Sequence, residues 1–314
     1  MDARAAKHRA LTRARNTQLD SPKAEWMIKA VQELPLWRAT GQNHLLIDMS
    51  SNHAPRLPVN QAIYMATSFW AAGSSYRHEH DLAIPLWNQK WEAFNSADAA
   101  AQRRADGRNL LLTFRGQRMF WCASCAPKDL AASLTLELQD DDLKLRWIRN
   151  RLHEVHNGAD VITIGTCARE LNNPANCNGT CRQRCDQDAA EASRHDYHDL
   201  LLRSKFGLVL PGITPMSYRL SETMACGTIP IIVSDFMVLP FQQLLNWSAF
   251  SIRLPEKLFS AALVDRLRAV PNERVRQMRA KVVEAYERCF ATPAATVLCG
   301  VEELELRLFG RTAA

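Results

Sequence analysis

Ser217, Arg219 and Glu222 combine residue types and a spacing that can do chemistry. The apolar run from Phe206 to Leu210 ends at Pro211-Gly212, and a short polar loop follows, carrying Ser217 and Arg219. A helix-like stretch carrying Glu222 and Ala225 then stops at Gly227, and a β-branched run from Ile229 to Val233 closes at Asp235. Such a strand–loop–helix–strand unit builds a parallel sheet. Its loop lies at a strand's carboxyl end and a helix's amino end, where α/β proteins hold phosphorylated ligands. Helix amides and the macrodipole favour an anion there. The planar fork of Arg219 suits phosphate oxygens. Glu222 repels phosphate, so facing a ligand it would accept hydrogen bonds from hydroxyls, as carboxylates do from ribose. One cation and one carboxylate three residues apart share a helix face, which suggests a nucleotide or nucleotide-sugar. The same spacing fits an ordinary surface Arg–Glu ion pair, and both readings are open on spacing alone.

The elements that must position these residues are legible in outline. His44 to Ser50 reads as a buried strand entering a loop, Asn60 to Ala72 suits helix or strand, and His80 to Trp87 reads as a second strand. Gln89 to Gly107 is polar and alanine-rich, a connecting helix or interdomain linker. Asn109 to Phe114 opens a second α/β half, followed by a largely helical stretch, Asp129 to Asn157, and a strand, Val161 to Gly165. A cysteine-rich loop comes next, and Ala261 to Phe290 reads as two helices split near Pro271. The expected organisation is a basic arm over 1–19, a short first domain over 20–100 and a second domain over 106–300.

With 314 residues, 47% of them hydrophobic, the chain can bury a core large enough for two domains. The net charge of +6 is uneven, because Arg4, Lys7, Arg9, Arg13 and Arg15 crowd the amino end. That segment reads as a disordered polar arm; a nucleic-acid role would rest on it alone and lacks interleaved aromatics. No apolar run reaches spanning length and no signal peptide opens the chain, so the sequence taken literally reads as soluble, with no membrane span. Nine cysteines lean towards an oxidising compartment, and an odd count leaves one unpaired without an intermolecular bridge. A zinc site drawn from Cys122, Cys125, Cys177, Cys181 and Cys185 fits poorly because the two clusters differ in form, and a disulfide-pinned loop fits better. Cys226 reads as a small core residue. Asn178-Gly-Thr180 and Asn246-Trp-Ser248 are acceptor sequons.

The central block resembles the exostosin-like glycosyltransferases, of GT47 type. The resemblance rests on Ser204-Lys205-Phe206, Leu210-Pro211-x-Gly212, Ser217-x-Arg219-x-x-Glu222, Gly227-x-Ile229-Pro230-x-Ile232 and Leu239-Pro240-Phe241. Weaker pieces precede it in order: Gly41 to Asp48, His80 to Trp87 and Arg108 to Gly116. The match covers roughly residues 41–255; Gly207 stands where the family usually has Cys, and the insert from Cys177 to Cys185 does not align. The resemblance implies an α/β fold of two Rossmann-like domains (GT-B type), the first short or truncated. It implies a donor site of Arg115, Gly116, Arg118, Pro211, Gly212, Ser217, Arg219, Glu222 and Gly227. A strand ending in Arg115-Gly116 lets backbone and guanidinium approach an anion together, although Arg115 could also simply cap the strand. Family members are typically anchored in the Golgi with the catalytic part lumenal, so either the chain is truncated upstream of Met1 or this member arrives by another route.

The implied reaction is inverting transfer of a sugar from a nucleoside diphosphate sugar, a UDP-sugar, to a saccharide hydroxyl. Arg219, Arg115 and the helix amino end would stabilise the leaving diphosphate, and Glu222 would orient the donor. A base must take the acceptor's proton, and the candidates are His44, Asp48 and His53. His44 sits where the family motif keeps a histidine, whereas Asp48 and His53 lie nearer a strand's carboxyl end. No cofactor beyond the donor is expected. Asp140-Asp141-Asp142 superficially resembles a metal-binding run, but acids ahead of a helix favour its dipole. The alternative is a non-catalytic relative that binds carbohydrate or a protein partner.

Overall fold

The computed structural model describes residues 29–31, 33–37, 41, 44–49, 61–67, 76–78, 80–86, 94–117, 148–167, 179–212, 216–235 and 237–310. Among the described residues, eight strands form two sheets, all of whose pairings are parallel. The first has the order β1 (Leu45–Asp48), β2 (Ile63–Ala66), β3 (Leu82–Ala83). The second contains β4 (Leu110–Gln117), β5 (Val161–Thr166), β6 (Ser204–Val209), β7 (Ile229–Val233) and β8 (Ile252–Leu254). Its order, β5-β4-β6-β7-β8, makes the chain step outward from β4 to β5 and then return to β6 on the other side of β4. The carboxyl ends of β4 and β6 therefore flank a topological switch point, where open α/β sheets bind ligands.

Among the described elements, three 3-10 helices and seven α-helices accompany the strands; the α-helices are α1 (Ala97–Arg104), α2 (Gly179–Ser193), α3 (Tyr197–Arg203), α4 (Tyr218–Ala225), α5 (Ala262–Arg268), α6 (Asn272–Cys289) and α7 (Pro293–Phe309). Local signals set their ends. Ser217 caps α4 by accepting from the Arg219 amide at 3.3 Å. The helix stops at Gly227, whose φ is +63°; an added Cβ there would meet the Arg103 carbonyl oxygen at 2.3 Å. Thr292 caps α7 ahead of Pro293, the pairing expected at a helix start. Continuous apolar runs form β6 and β7, which are buried on both faces, as parallel central strands must be.

One apolar cluster joins Met65, Leu82 and Ile84 of the first sheet with Phe206, Leu208 and Ile231 of the second. The Phe241 amide donates to the Ala83 carbonyl at 3.2 Å, so the segment leaving β7 meets the carboxyl end of β3. Helix α7 packs on β3, and Arg307 Nη1 donates to the Asp81 carbonyl at 2.8 Å. Asp81 is fully buried and accepts from the Arg77 guanidinium and from the Tyr64 amide at 3.2 Å, which ties the first sheet together.

Several expectations need correcting. The strand β1 is not buried: it is an edge of its sheet and Ile47 is 45% exposed. The cysteine-rich segment is helical from Gly179 onward, because α2 begins there, and Cys185 bonds back to Cys167 at the end of β5. A second disulfide, Cys289–Cys299, joins α6 to α7. Cys226 is free and buried, as read from its place ahead of Gly227. Among the described residues, no helix is long and apolar enough to cross a membrane, and no group of three or more acidic, His or Cys side chains could hold a metal. Cys122, Cys125, Cys177 and Asp140 to Asp142 lie outside the described residues.

Candidate functional site

Helix α4 and strand β4 meet at the switch point. Strand alternation puts Phe114 and Gly116 on one face and Arg115 on the other. Gly116 faces Arg219: a Cβ there would lie 3.4 Å from Arg219 Nε and 2.9 Å from Phe114 Cζ. An added Cβ would clash with the Phe114 ring and meet the Arg219 guanidinium at ordinary contact distance, so Gly116 lets β4 lie close beside Arg219. Arg115, facing the other way, donates to the His195 carbonyl at 2.7 Å and ties down the turn before α3.

Arg219 and Glu222 form an ion pair through Nη1 and Oε2. It is not the solvated surface pair that the spacing also allowed, because the Glu222 side chain is only 7% exposed. Tyr197, at the start of α3, completes the group. Its hydroxyl donates to Glu222 Oε2 at 2.9 Å, and its ring lies 4.4 Å from the Arg219 guanidinium carbon. Burial raises the phenol's pKa well above its ordinary value, with Glu222 adding to the rise and Arg219 opposing it. The phenol therefore stays protonated and keeps its donor role. Burial alone would lower the pKa of Arg219, but Tyr197 and Glu222 outweigh it and the net shift is upward. Arg219 is thus a fixed cation whose Nε has no hydrogen-bond partner among the described residues.

A second arginine builds the floor. Arg149 donates through Nε to the Pro211 carbonyl at 2.7 Å and through Nη2 to Leu210 at 3.2 Å. Through Nη1 it reaches the Gln117 carbonyl at 2.8 Å. It thereby fastens the carboxyl ends of β4 and β6, including the Pro211-Gly212 turn. Its pKa is lowered to about 10, chiefly by burial and then by the nearby Arg219. Two arginines at one switch point give a positive potential suited to an anion.

The remaining sequence candidates are dispersed. Gly227 stands at the far end of α4, about 15 Å from Ser217 at 1.5 Å per residue, where its role is conformational. Gly207, the departure from the family pattern, pairs with Pro230, and Thr223 fills the space that a side chain there would take. His44 precedes β1 and stacks on Trp37, with ring centroids 4.5 Å apart. Asp48 ends β1, about 13 Å from His44 at roughly 3.3 Å per residue. Its carbonyl accepts from Thr67 at 3.2 Å. Arg118 and His53 lie outside the described residues. Tyr197 and Arg149 escaped the sequence reading. Tyr197 lies 25 residues from Glu222, so only tertiary packing joins them; nothing local distinguishes Arg149 from its neighbour Arg151.

A parallel α/β sheet thus brings Arg149, Arg219 and the buried Glu222 carboxylate together at its switch point. The family model for the exostosin GT47 domain matches residues 4–270, and the chain belongs to this glycosyltransferase family. It is 28% identical over 287 residues to Exostosin-1 of Drosophila melanogaster, covering 88% of this chain and 34% of that protein. It is 26% identical over 292 residues to Exostosin-1c of Danio rerio, covering 89% and 35%. Against Exostosin-1 of Bos taurus it is 25% identical over 292 residues, again 89% and 35%. The chain spans about a third of the length of these relatives.

Proposed function

We propose that the chain transfers a sugar, with inversion, from a nucleoside diphosphate sugar, a UDP-sugar, to a saccharide hydroxyl. The observation that carries the proposal is the Arg219–Glu222–Tyr197 group against Gly116 at the switch point. In this reading Arg219 and the capped amino end of α4 take the diphosphate and stabilise charge as it leaves. The Pro211-Gly212 turn, fastened by Arg149, shapes the phosphate side, while Arg115 is engaged with the His195 carbonyl on the other face of β4. The Glu222 carboxylate, steered by Tyr197, reads donor hydroxyls.

Asp48 is favoured as the base over His44, since it ends its strand on the side where the segment after β7 approaches β3. His53 remains the third candidate in the proposal. In the proposed division, residues 20–100 carry the acceptor side and 106–300 the donor side. A lumenal, Golgi-type compartment is part of the proposal, supported by the family and by two disulfides, since such bonds persist in oxidising compartments. A metal is not part of the mechanism.

The test is release of nucleoside diphosphate from a panel of donor sugars with saccharide acceptors, with and without chelator. Acceptor-dependent release that survives chelation is expected. Activity abolished by chelator and restored by manganese would overturn metal independence and move attention to Asp140 to Asp142. A non-catalytic, carbohydrate- or partner-binding relative is the second reading, favoured by the described strands of the first sheet, which are four, four and two residues long. Binding of donor and acceptor without turnover would select it.

A further inference from the structure

Arg108 opens the Arg108 to Gly116 motif, yet it is far from any ligand-facing position. Its side chain runs beneath the sheet's amino end, where it is buried. Through Nη1 it donates to the Leu201 carbonyl at 2.9 Å, in the last turn of α3, and to the Ser204 carbonyl at 2.9 Å, where β6 begins. The same nitrogen reaches Thr228 Oγ1 at 2.7 Å, just before β7. Through Nη2 it donates to the Cys226 carbonyl at 2.5 Å, the carboxyl cap of α4. Thr228 Oγ1 in turn donates to the Leu201 carbonyl at 2.6 Å. One guanidinium therefore grips the carboxyl ends of both α3 and α4.

Those two helices carry the donor group: Tyr197 is the first residue of α3, and Arg219 and Glu222 are the second and fifth of the eight residues of α4. Each helix is only seven or eight residues long, about 10–12 Å at 1.5 Å per residue. At that length a small slip at the carboxyl end is carried through to the amino end. The electrostatics suit the clamp, because a cation at two helix carboxyl ends faces the negative poles of both dipoles. The groups near it are Arg279, Cys226, Asp106 and Arg103; burial first, then Arg279, lowers its pKa to about 9. Backbone carbonyls and a hydroxyl hold it, with no carboxylate in the grip.

We infer that Arg108 is a positioning residue for the donor site: by clamping the carboxyl ends of α3 and α4 it sets the register at which Tyr197 meets Glu222 and Arg219. The inference rests on the donor-site reading above. A clamp that only stabilised the fold would change the unfolding midpoint and leave binding by folded molecules alone.

The test is a double-mutant cycle on nucleoside diphosphate affinity, measured by calorimetry well below each variant's unfolding midpoint. The variants are Arg108→Lys, Tyr197→Phe and the pair. Tyr197→Phe keeps the ring over Arg219 and removes the hydroxyl that steers Glu222. Sites this far apart with no shared partner have additive effects by default. Each single change is expected to weaken binding about tenfold, the scale of one lost charge-assisted hydrogen bond. The pair should fall within about threefold of the weaker single variant rather than near a hundredfold, because both act on the same register. Additive losses, or folded Arg108→Lys protein that binds as the wild type does, would overturn the inference. Should Arg108→Lys not fold, Thr228→Val takes its place in the cycle with the same outcomes, since it removes the hydroxyl shared by the clamp. Absence of diphosphate binding by the wild type would instead overturn the donor site, and the positioning role with it.

Discussion

Replacing Gly227 by Ala tests the packing that holds α4 in place. Two costs add. The residue has a φ of +63°, and an L side chain in that left-handed region costs about 1–2 kcal/mol. Its Cβ would also lie 2.3 Å from the Arg103 carbonyl oxygen, which is backbone and cannot swing aside. Restoring ordinary contact needs a separation of α1 and α4 by about 1 Å, in a densely packed interior that resists it. That same carbonyl accepts from Arg108 at 3.4 Å and Arg279 at 3.3 Å, so the shift would loosen both bonds. The sum is about 3–5 kcal/mol of lost stability, in the range of severe single substitutions. Gly107→Ala is the control: its φ is +90° and no heavy atom lies within 4 Å of the added Cβ. It should therefore lose only about 1–2 kcal/mol. Urea unfolding of wild type and both variants, with slopes compared, gives the two values. Equal losses would show that α1 does not crowd Gly227, and a loss below about 1 kcal/mol would refute the αL stop of α4 as well.

Three further outcomes follow from the structure. The Glu256 carboxyl has its pKa raised to about 7, mainly by burial; the hydrogen bond from the Asp235 amide opposes the rise and the Asp235 charge adds to it. The folded state thus holds its proton more tightly than the unfolded chain, and stability falls as pH rises from about 4.5 to 7. Glu256→Gln should gain about 1–2 kcal/mol on wild type between pH 4.5 and 8, discounted for partial exposure; a pH-independent difference would contradict the burial. Replacing Cys289 and Cys299 by Ala opens a short loop, which should cost about 2–3 kcal/mol. Hydrogen exchange should then quicken in β2 and β3, on which α7 packs, more than in β6 and β7; uniform change would argue against α7 as the link. Among Asp48→Asn, His44→Ala and His53→Ala, the variant lacking the base should lose turnover by roughly 10² to 10⁴ with diphosphate affinity unchanged. Near-normal turnover in all three would place the base elsewhere.

Local signals carried much of this architecture in the sequence. Gly227 as a stop and the apolar runs on either side place α4 between β6 and β7, although the helix already includes Arg219, which the sequence puts in the loop, and β6 begins two residues earlier, at Ser204. Pro271 separates α5 from α6 as its missing amide requires. Helix α7 lies beyond the helical pattern that ends at Phe290, and only Thr292-Pro293 and Gly310 mark its ends in the sequence. What was illegible is tertiary. Whether Glu222 meets solvent or Tyr197 depends on how α3 lies against α4, and Cys167 pairing with Cys185 depends on where β5 ends relative to α2. The exposure of β1 depends on its being an edge, which the run from His44 to Ser50 does not state.

The central claim is that Arg219, held by Glu222 and Tyr197 at the switch point, binds the diphosphate of a donor. Calorimetric titration of nucleoside diphosphate into wild type and Arg219→Ala tests it most directly. The account predicts saturable binding by wild type, weakened at least tenfold in the variant through loss of a charge-assisted contact, while the uncharged nucleoside binds both proteins alike. Equal diphosphate affinity in two well-folded proteins would contradict it.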